Sequence, residues 1–260
     1  MIKILTGWSN PGGSTVAHIN LVNLFNSKGI EACLYGPHVW ASNKCNFAKL
    51  ETATIGSEDS IIFHFYPMTA MEKLPCKKVI YSCHETNVMP MSQINTKICD
   101  IVHFVSESQK KWHNYKGKSI IIPNVVKQLI PKDNKPSRAG VIGSIDRHKQ
   151  THLSIERAWN DGYKDILLFG NITDIEYFNE KVRYWIEEGI AKLAGHVDNQ
   201  QDMYDLLSVV YHSSQRETFN YIKEECRMTN TRYDGLPSAE SNAEYWNSDK
   251  IFFKWLEILS

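Results

Sequence analysis

The sequence predicts an α/β protein built from two Rossmann-like, doubly wound layers, and three observations carry that prediction. Short apolar runs of strand length alternate with stretches of helical period along most of the 260 residues. The first run ends in a glycine turn that opens a helix and leads to a second strand, and such βαβ units build parallel sheets. Near the middle, residues 127–138 (KQLIPKDNKPSR) are polar, charged and carry two prolines, the composition of an interdomain linker. The length suits two domains of roughly 130 residues each.

Residues 1–6 read as a buried strand. Residues 15–28 read as a helix with Val16, Ile19, Leu21, Val22 and Phe25 apolar, capped by Ser14 and stopped by Gly29. A strand at 31–35 follows, then strands at 60–65, 78–83, 100–105 and 119–122 and a short helix at 107–113, which together give a first domain over 1–130. The second, 139–247, opens with a strand at 139–142. It continues as helix 151–161, strand 165–169, helix 174–188, strand 191–194, helix 200–206 and strand 208–211, and then a helical segment carrying Phe219, Ile222 and Cys226. Residues 228–243 read as loop. Residues 248–259 (SDKIFFKWLEIL) form a last amphipathic helix, and 248–260 is expected to cross back to the first domain through Phe252 and Trp255.

Composition narrows the function classes. With 29 Lys and Arg against 29 Asp and Glu, no net field draws nucleic acid or anionic membrane. The six cysteines show no Cys-x-x-Cys pair and no zinc spacing, which points to a reducing compartment and to thiols packing as small hydrophobes. The chain begins directly in a strand, so no signal peptide is expected, and no apolar run approaches the ~20 residues of a membrane span. A cytoplasmic location follows, with peripheral contact at the inner membrane surface left open.

The stretch with most chemistry is Ser213-Ser214-Gln215-Arg216-Glu217-Thr218-Phe219-Asn220 and the helix after it. Glu217 falls at a strand-to-helix turn, and Glu225 lies eight positions on, about 12 Å of rise if the whole segment is helical. The N–H groups of Thr218, Phe219 and Asn220 offer an anion site between the two carboxylates. A sugar, a diphosphate and a ribose would fit that sequence of groups. The turn Gly143-Ser144-Ile145-Asp146-Arg147-His148-Lys149 also follows a strand and precedes a helix, where anions settle. In such folds ligands gather at the carboxyl ends of strands, and the natural site is the cleft between the two domains.

These parts resemble, from Lys3 to about Arg227, the glycosyltransferase family 4-like enzymes of the GT-B fold, in a short version; in that fold two Rossmann-like domains face each other across a nucleotide-sugar cleft. The resemblance implies that Glu217 hydrogen-bonds the donor sugar's hydroxyls and Glu225 the two ribose hydroxyls, as carboxylates do with vicinal hydroxyls. Asn220 stands where the family has glycine. Lys149 matches the lysine of the family's Gly-Arg-x-x-x-x-Lys turn; Ser144 stands at the arginine, and Arg147 is expected to supply the charge. By the same likeness Gly12 and Gly13 approach the donor phosphate, His84 lies at the acceptor side of the sugar, and Gly195, His196 and Val197 border the nucleobase. Ser106, Pro123 and Asn124 read as loop architecture.

The implied activity is a retaining, hexosyltransferase-type transfer from a nucleotide diphosphate sugar to a hydroxyl acceptor, with Glu217, His84 and Lys149 as the catalytic set. No Asp-x-Asp motif occurs, so no metal and no cofactor beyond the nucleotide sugar are expected. The acceptor stays open among a glycan, a lipid-linked glycan or another hydroxyl compound. The basic and aromatic run 110–118 could meet a lipid phosphate, an anionic glycan or nucleic acid, and a transferase for hydroxylated DNA bases is kept as an outside alternative. A noncatalytic nucleotide-sugar or glycan-binding module and a sugar-nucleotide epimerase are the other readings.

Overall fold

The computed structural model describes residues 1–65, 72–85, 98–133 and 136–260. The chain divides into two compact units, Met1–Lys127 with Asn242–Ser260, and Gln128–Ser241. Residues 134 and 135 of the expected linker lie outside the described residues, and 128–133 and 136–138 belong to the second unit.

The first unit is a seven-stranded, all-parallel sheet. Its strands are β1 (Ile2–Thr6), β2 (Ala32–Gly36), β3 (Phe47–Lys49), β4 (Ser60–His64), β5 (Lys78–Cys83), β6 (Ile101–Phe104) and β7 (Ser119–Ile121), in the order β3-β2-β1-β4-β5-β6-β7. The strands are apolar because both faces are covered, and the two-residue period sorts them. Ile2, Ile4, Ile62 and Ile80 join one core cluster, with α1 (Gly13–Ser27) packed on it; Leu5, Ile61, Phe63, Val79 and Tyr81 join the other. A short helix, α2 (Glu107–Trp112), is capped by Ser106, whose hydroxyl accepts from Gln109 N–H. β3 was not foreseen, since its three residues, FAK, carry no run of strand formers.

The last helix, α8 (Ser248–Leu259), packs into the first of these clusters. Ile251, Phe252, Trp255, Ile258 and Leu259 bury one stripe at helical spacing. The Trp255 ring lies 4.7 Å from that of His103, Phe252 lies 6.1 Å from Phe25, and Lys28 pairs with Asp249 at 2.6 Å.

The second unit is a five-stranded parallel sheet of β8 (Ala139–Ile142), β9 (Ile166–Phe169), β10 (Ala191–Gly195), β11 (Val209–His212) and β12 (Arg232–Gly235), ordered β10-β9-β8-β11-β12. Its helices include α3 (Thr151–Asn160), α4 (Ile175–Tyr177), α5 (Arg183–Glu187), α6 (Gln200–Asp205) and α7 (Tyr221–Met228). Both sheets reverse their strand order once, at β1/β4 and at β8/β11, the crevice where doubly wound sheets hold ligands. At the carboxyl ends, Gly143 and Gly170 hold positive φ (129° and 143°), and a Cβ on Gly170 would collide with the Gly143 carbonyl. Only glycine permits these two loops to cross so closely.

Three expectations are corrected here. Residues 228–243 are not simply loop: Arg232–Gly235 adds a parallel edge strand beside β11, in register from Val209↔Arg232 to His212↔Gly235. Its sequence, RYDG, is polar because an edge needs no apolar second face. The helix expected at 174–188 is broken by a π-helical stretch, Phe178–Val182, between α4 and α5. Finally, α7 begins only at Tyr221, with Asn220 as its N-cap. Glu217 therefore precedes the helix, and the 12 Å helical rise to Glu225 does not apply.

Trp255 is 2% exposed, so Trp255→Ala opens a large void under α8. We expect a loss of about 3–5 kcal/mol, read as a fall in the urea midpoint.

Candidate active site

The second unit assembles its site where β8 and β11 are neighbours. The loop after β8 is folded on Asp146: its carboxylate accepts from Ser144 Oγ at 2.5 Å, Lys149 N–H at 2.8 Å and Thr173 Oγ1 at 3.1 Å. Gln150 then takes a left-handed backbone (φ 50°) as α3 starts. From this turn Lys149 Nζ reaches Glu217 Oε1 at 2.5 Å. His212, the last residue of β11 and 3% exposed, places Nε2 at 3.1 Å from the same oxygen, off the line of a good hydrogen bond.

Glu217 is thus a nearly enclosed carboxylate with two nitrogens on one oxygen. Burial by itself raises its pKa, but the Lys149 ammonium, with His212 behind it, brings the value down to about 2. The group is ionised at any working pH. It is suited to accepting hydrogen bonds and unsuited to donating a proton.

The other sequence-predicted residues fall around this pair unevenly. Glu225, on α7, is buried and already accepts on both oxygens, from Tyr204 OH at 2.7 Å and Gln200 Nε2 at 3.0 Å. The anion cradle expected from three N–H groups loses one, because Asn220 N–H donates to Ser241 Oγ at 3.2 Å. Phe219 is buried edge-on against Tyr221, and Thr218 is half-buried in the turn. Arg147 does not join Lys149: it pairs with Asp174 (3.2 Å) and Glu180 (3.5 Å) because α4 and the π-helical stretch present two carboxylates to it. Gly195 holds φ 74° and its carbonyl accepts from Gly170 N–H at 2.9 Å, while His196 pairs with Asp198 at 3.4 Å and Val197 is half-buried.

In the first unit, Gly12 and Gly13 are exposed at the start of α1, with open space where side chains would stand. His84 follows β5 and belongs to a group of four imidazoles that sequence reasoning missed. His18 lies 4.6 Å from His64 and 4.8 Å from His84; His84 lies 5.1 Å from His64 and 6.1 Å from His103, ring to ring. His84 keeps a little surface, but protein surrounds its ring as densely as in the interior. Ser82 Oγ bonds both His84 (3.0 Å) and His103 (2.8 Å), and His64 bridges Thr6 (3.0 Å) and Glu85 (2.6 Å). Both ring nitrogens of His18 are buried without a partner. Burial first, then the neighbouring rings, hold His18 and His84 well below the ordinary histidine value, and burial takes His103 to about 4. The described residues include no set of three or more His, Cys, Asp or Glu side chains able to hold a metal ion.

His212, Tyr204 and Gln200 were also missed. The only local signal for His212 was its place at a strand end shortly before Glu217.

No protein-family model and no curated protein matches the chain. Solved structures do. AviGT4, a glycosyltransferase involved in avilamycin A biosynthesis, is 15% identical over 99% of this chain and 96% of its own, with a TM-score of 0.71. HepE of Anabaena, solved with UDP and glucose, is 11% identical over 92% and 81%, with a TM-score of 0.69. The lipopolysaccharide outer core galactosyltransferase WaaB is 14% identical over 99% and 88%, with a TM-score of 0.54. At such identities the likeness is one of fold, and the fold is that of the GT-B glycosyltransferases.

Two outcomes follow from the site. Lys149→Met strands Glu217, so its carboxyl pKa, followed by NMR titration, rises from about 2, and stability falls by up to about 3 kcal/mol, at the low end for severed buried pairs because Lys149 keeps some contact with water. The histidine group makes the first unit acid-sensitive. The folded pKa values of His18, His84 and His103 lie below the unfolded 6.5, so the unfolded chain binds more protons and stability is lost as pH falls from 6.5 toward the folded values. His18→Leu is expected to leave stability at neutral pH unchanged or higher and to flatten that acid slope in denaturation curves.

Proposed function

We propose that this chain is a glycosyltransferase that moves a hexose from a nucleotide diphosphate sugar to a hydroxyl acceptor, metal-independently and with retention of configuration. The single observation that carries the reading is the Glu217–Lys149 pair at the strand-order reversal of the second sheet. A carboxylate held ionised there accepts hydrogen bonds from sugar hydroxyls and orients the donor. The Lys149 ammonium has three donors and uses one on Glu217, so it has capacity to neutralise charge on a departing diphosphate without a metal. Likeness in fold to HepE, a protein solved with UDP-glucose, supports a uridine nucleotide as the first donor to try. His84, a neutral imidazole held by Ser82, is assigned to the acceptor side of the sugar, and Gly12 and Gly13 to the phosphate. Retention without a protein nucleophile has the departing phosphate assist deprotonation of the acceptor hydroxyl.

A second reading, a noncatalytic nucleotide-sugar binder, draws on one observation: Glu225 and Arg147 are both already engaged by protein partners. It predicts binding without turnover.

The test is binding heat and nucleoside diphosphate release with UDP-glucose, then other nucleotide sugars, with glycan and lipid-linked acceptors, in buffer with and without EDTA. We expect one donor to bind and turn over equally in both buffers, and Glu217→Ala to lower kcat by about 10²–10³, the usual cost of removing one polar group that acts on the transition state. Donor binding with no turnover by the wild type selects the second reading; no binding of any donor removes both.

A further inference from the structure

We infer that His212 is the positioning residue for Glu217, fixed in one tautomer by a hydrogen-bond relay that runs from Asn220 through Tyr233. The inference rests on the reading of Glu217 as the group that accepts from the donor sugar, and it assigns a use to the position where the resembled enzymes have glycine.

The relay can be read donor by donor. Asn220 Oδ1 accepts from Lys223 N–H at 2.9 Å as the cap of α7, which settles which end of the amide is which. Its Nδ2 therefore carries the two hydrogens, and it donates to Ala239 O at 2.8 Å and to Tyr233 OH at 2.7 Å. The Tyr233 oxygen accepts there, so its own hydrogen is free to point at His212 Nδ1, 3.4 Å away. Burial pushes the Tyr233 phenol up, so that hydrogen stays in place. Asn220 Nδ2 itself lies 3.4 Å from the same ring nitrogen. Asn220 Nδ2 cannot accept and both its hydrogens are used, so the Tyr233 hydroxyl is the donor to Nδ1; Nδ1 is then the bare nitrogen, and Nε2 carries the proton of the neutral ring. Glu217 Oε1 lies 3.1 Å from that nitrogen, off the line of its N–H, so the ring acts on the carboxylate by close approach and not by a well-aligned hydrogen bond.

The fold builds the relay deliberately. β12 lies beside β11 with Gly235 opposite His212, and a Cβ on Gly235 would collide with the Tyr233 ring and hydroxyl. The missing side chain is what lets Tyr233 reach across. With Lys149 and His212 both on Oε1, the carboxylate is anchored by one oxygen, and Oε2 is the one left to meet a ligand.

The test uses the full-length chain. Long-range ¹H–¹⁵N spectra of the imidazoles in mildly alkaline buffer, with His212 assigned by its absence in His212→Gln, report which nitrogen holds the proton. We expect protonated Nε2 in the wild type and a shift toward mixed tautomers in Tyr233→Phe. His212→Gln keeps an N–H donor near the Nε2 position, and His212→Phe keeps only the ring volume. With UDP-glucose as donor, we expect His212→Phe to lower kcat about tenfold, as for a lost polar contact with a charged group, with KM little changed, and His212→Gln to restore most of it. The Glu217 carboxyl pKa should rise in His212→Phe and stay near wild type in His212→Gln. An Nδ1-protonated ring overturns the inference, and so does a His212→Gln protein whose Glu217 titration is as disturbed as that of His212→Phe. If UDP-glucose is neither bound nor turned over by the wild type, the donor reading fails separately, and the tautomer and Glu217 titration still decide the relay.

Discussion

A carboxylate removed from water has to be given an equivalent of water, and Glu217 is where this chain meets that demand. Its desolvation would push it toward the neutral acid, and its ionised state depends on an ammonium arriving from a loop 68 residues earlier. That arrival places requirements on the whole second unit. β8 must neighbour β11, the Gly143 and Gly170 loops must cross, and Asp146 must gather the turn so that Lys149 leaves it in the right direction. Even the polar edge strand β12 enters the account, because it delivers Tyr233 to His212.

The first unit poses the converse problem. Four imidazoles are packed against one another, and among the described residues Glu85, beside His64, is their one carboxylate partner. His84 and His103 are tolerated because burial keeps them neutral, and neutral imidazoles pack as flat, modestly polar rings that find a hydroxyl or carbonyl, as His103 does with Ser82 and Ile122. His18 finds neither. The Trp255 ring, carried by α8, lies against His103 on this group, so the final helix matters to His84 as well as to the core.

Several of the residues singled out by the resemblance share one physical pattern, which is that each group is already in use. Arg147 is spent on Asp174 and Glu180, Asn220 on the cap of α7 and on Tyr233, and Glu225 on Tyr204 and Gln200. Charged or polar side chains satisfied this way give up reach and gain fixed orientation. For Asn220 the gain is direct, since an amide whose ends are told apart by a helix cap can set the tautomer of a neighbouring histidine.

Most strands of the two parallel sheets were legible in the sequence because a strand covered on both faces must be largely apolar, as in IKILT, SIIFH and VVYH. The loops that carry Gly143, Lys149 and Glu217 were legible for the same reason, as the polar stretches that follow such runs. The amphipathic stripe of α8 was equally plain. Elements with no apolar signature were not: β3 and β12 pair through their backbones with a neighbour, and their side chains form no apolar run that marks a strand. The start of α7 was misplaced because Thr218 and Phe219 suit a helix locally, and only the contacts of Asn220 with Lys223, Ser241 and Ala239 end the turn there. The sequence alone determined the α/β class, the run of strands and helices and the residue types at each strand end. Which of those ends meet, and so that Lys149, His212 and Tyr233 converge around Glu217, was decided only by sheet order, because contacts between residues dozens of positions apart leave no mark in local periodicity.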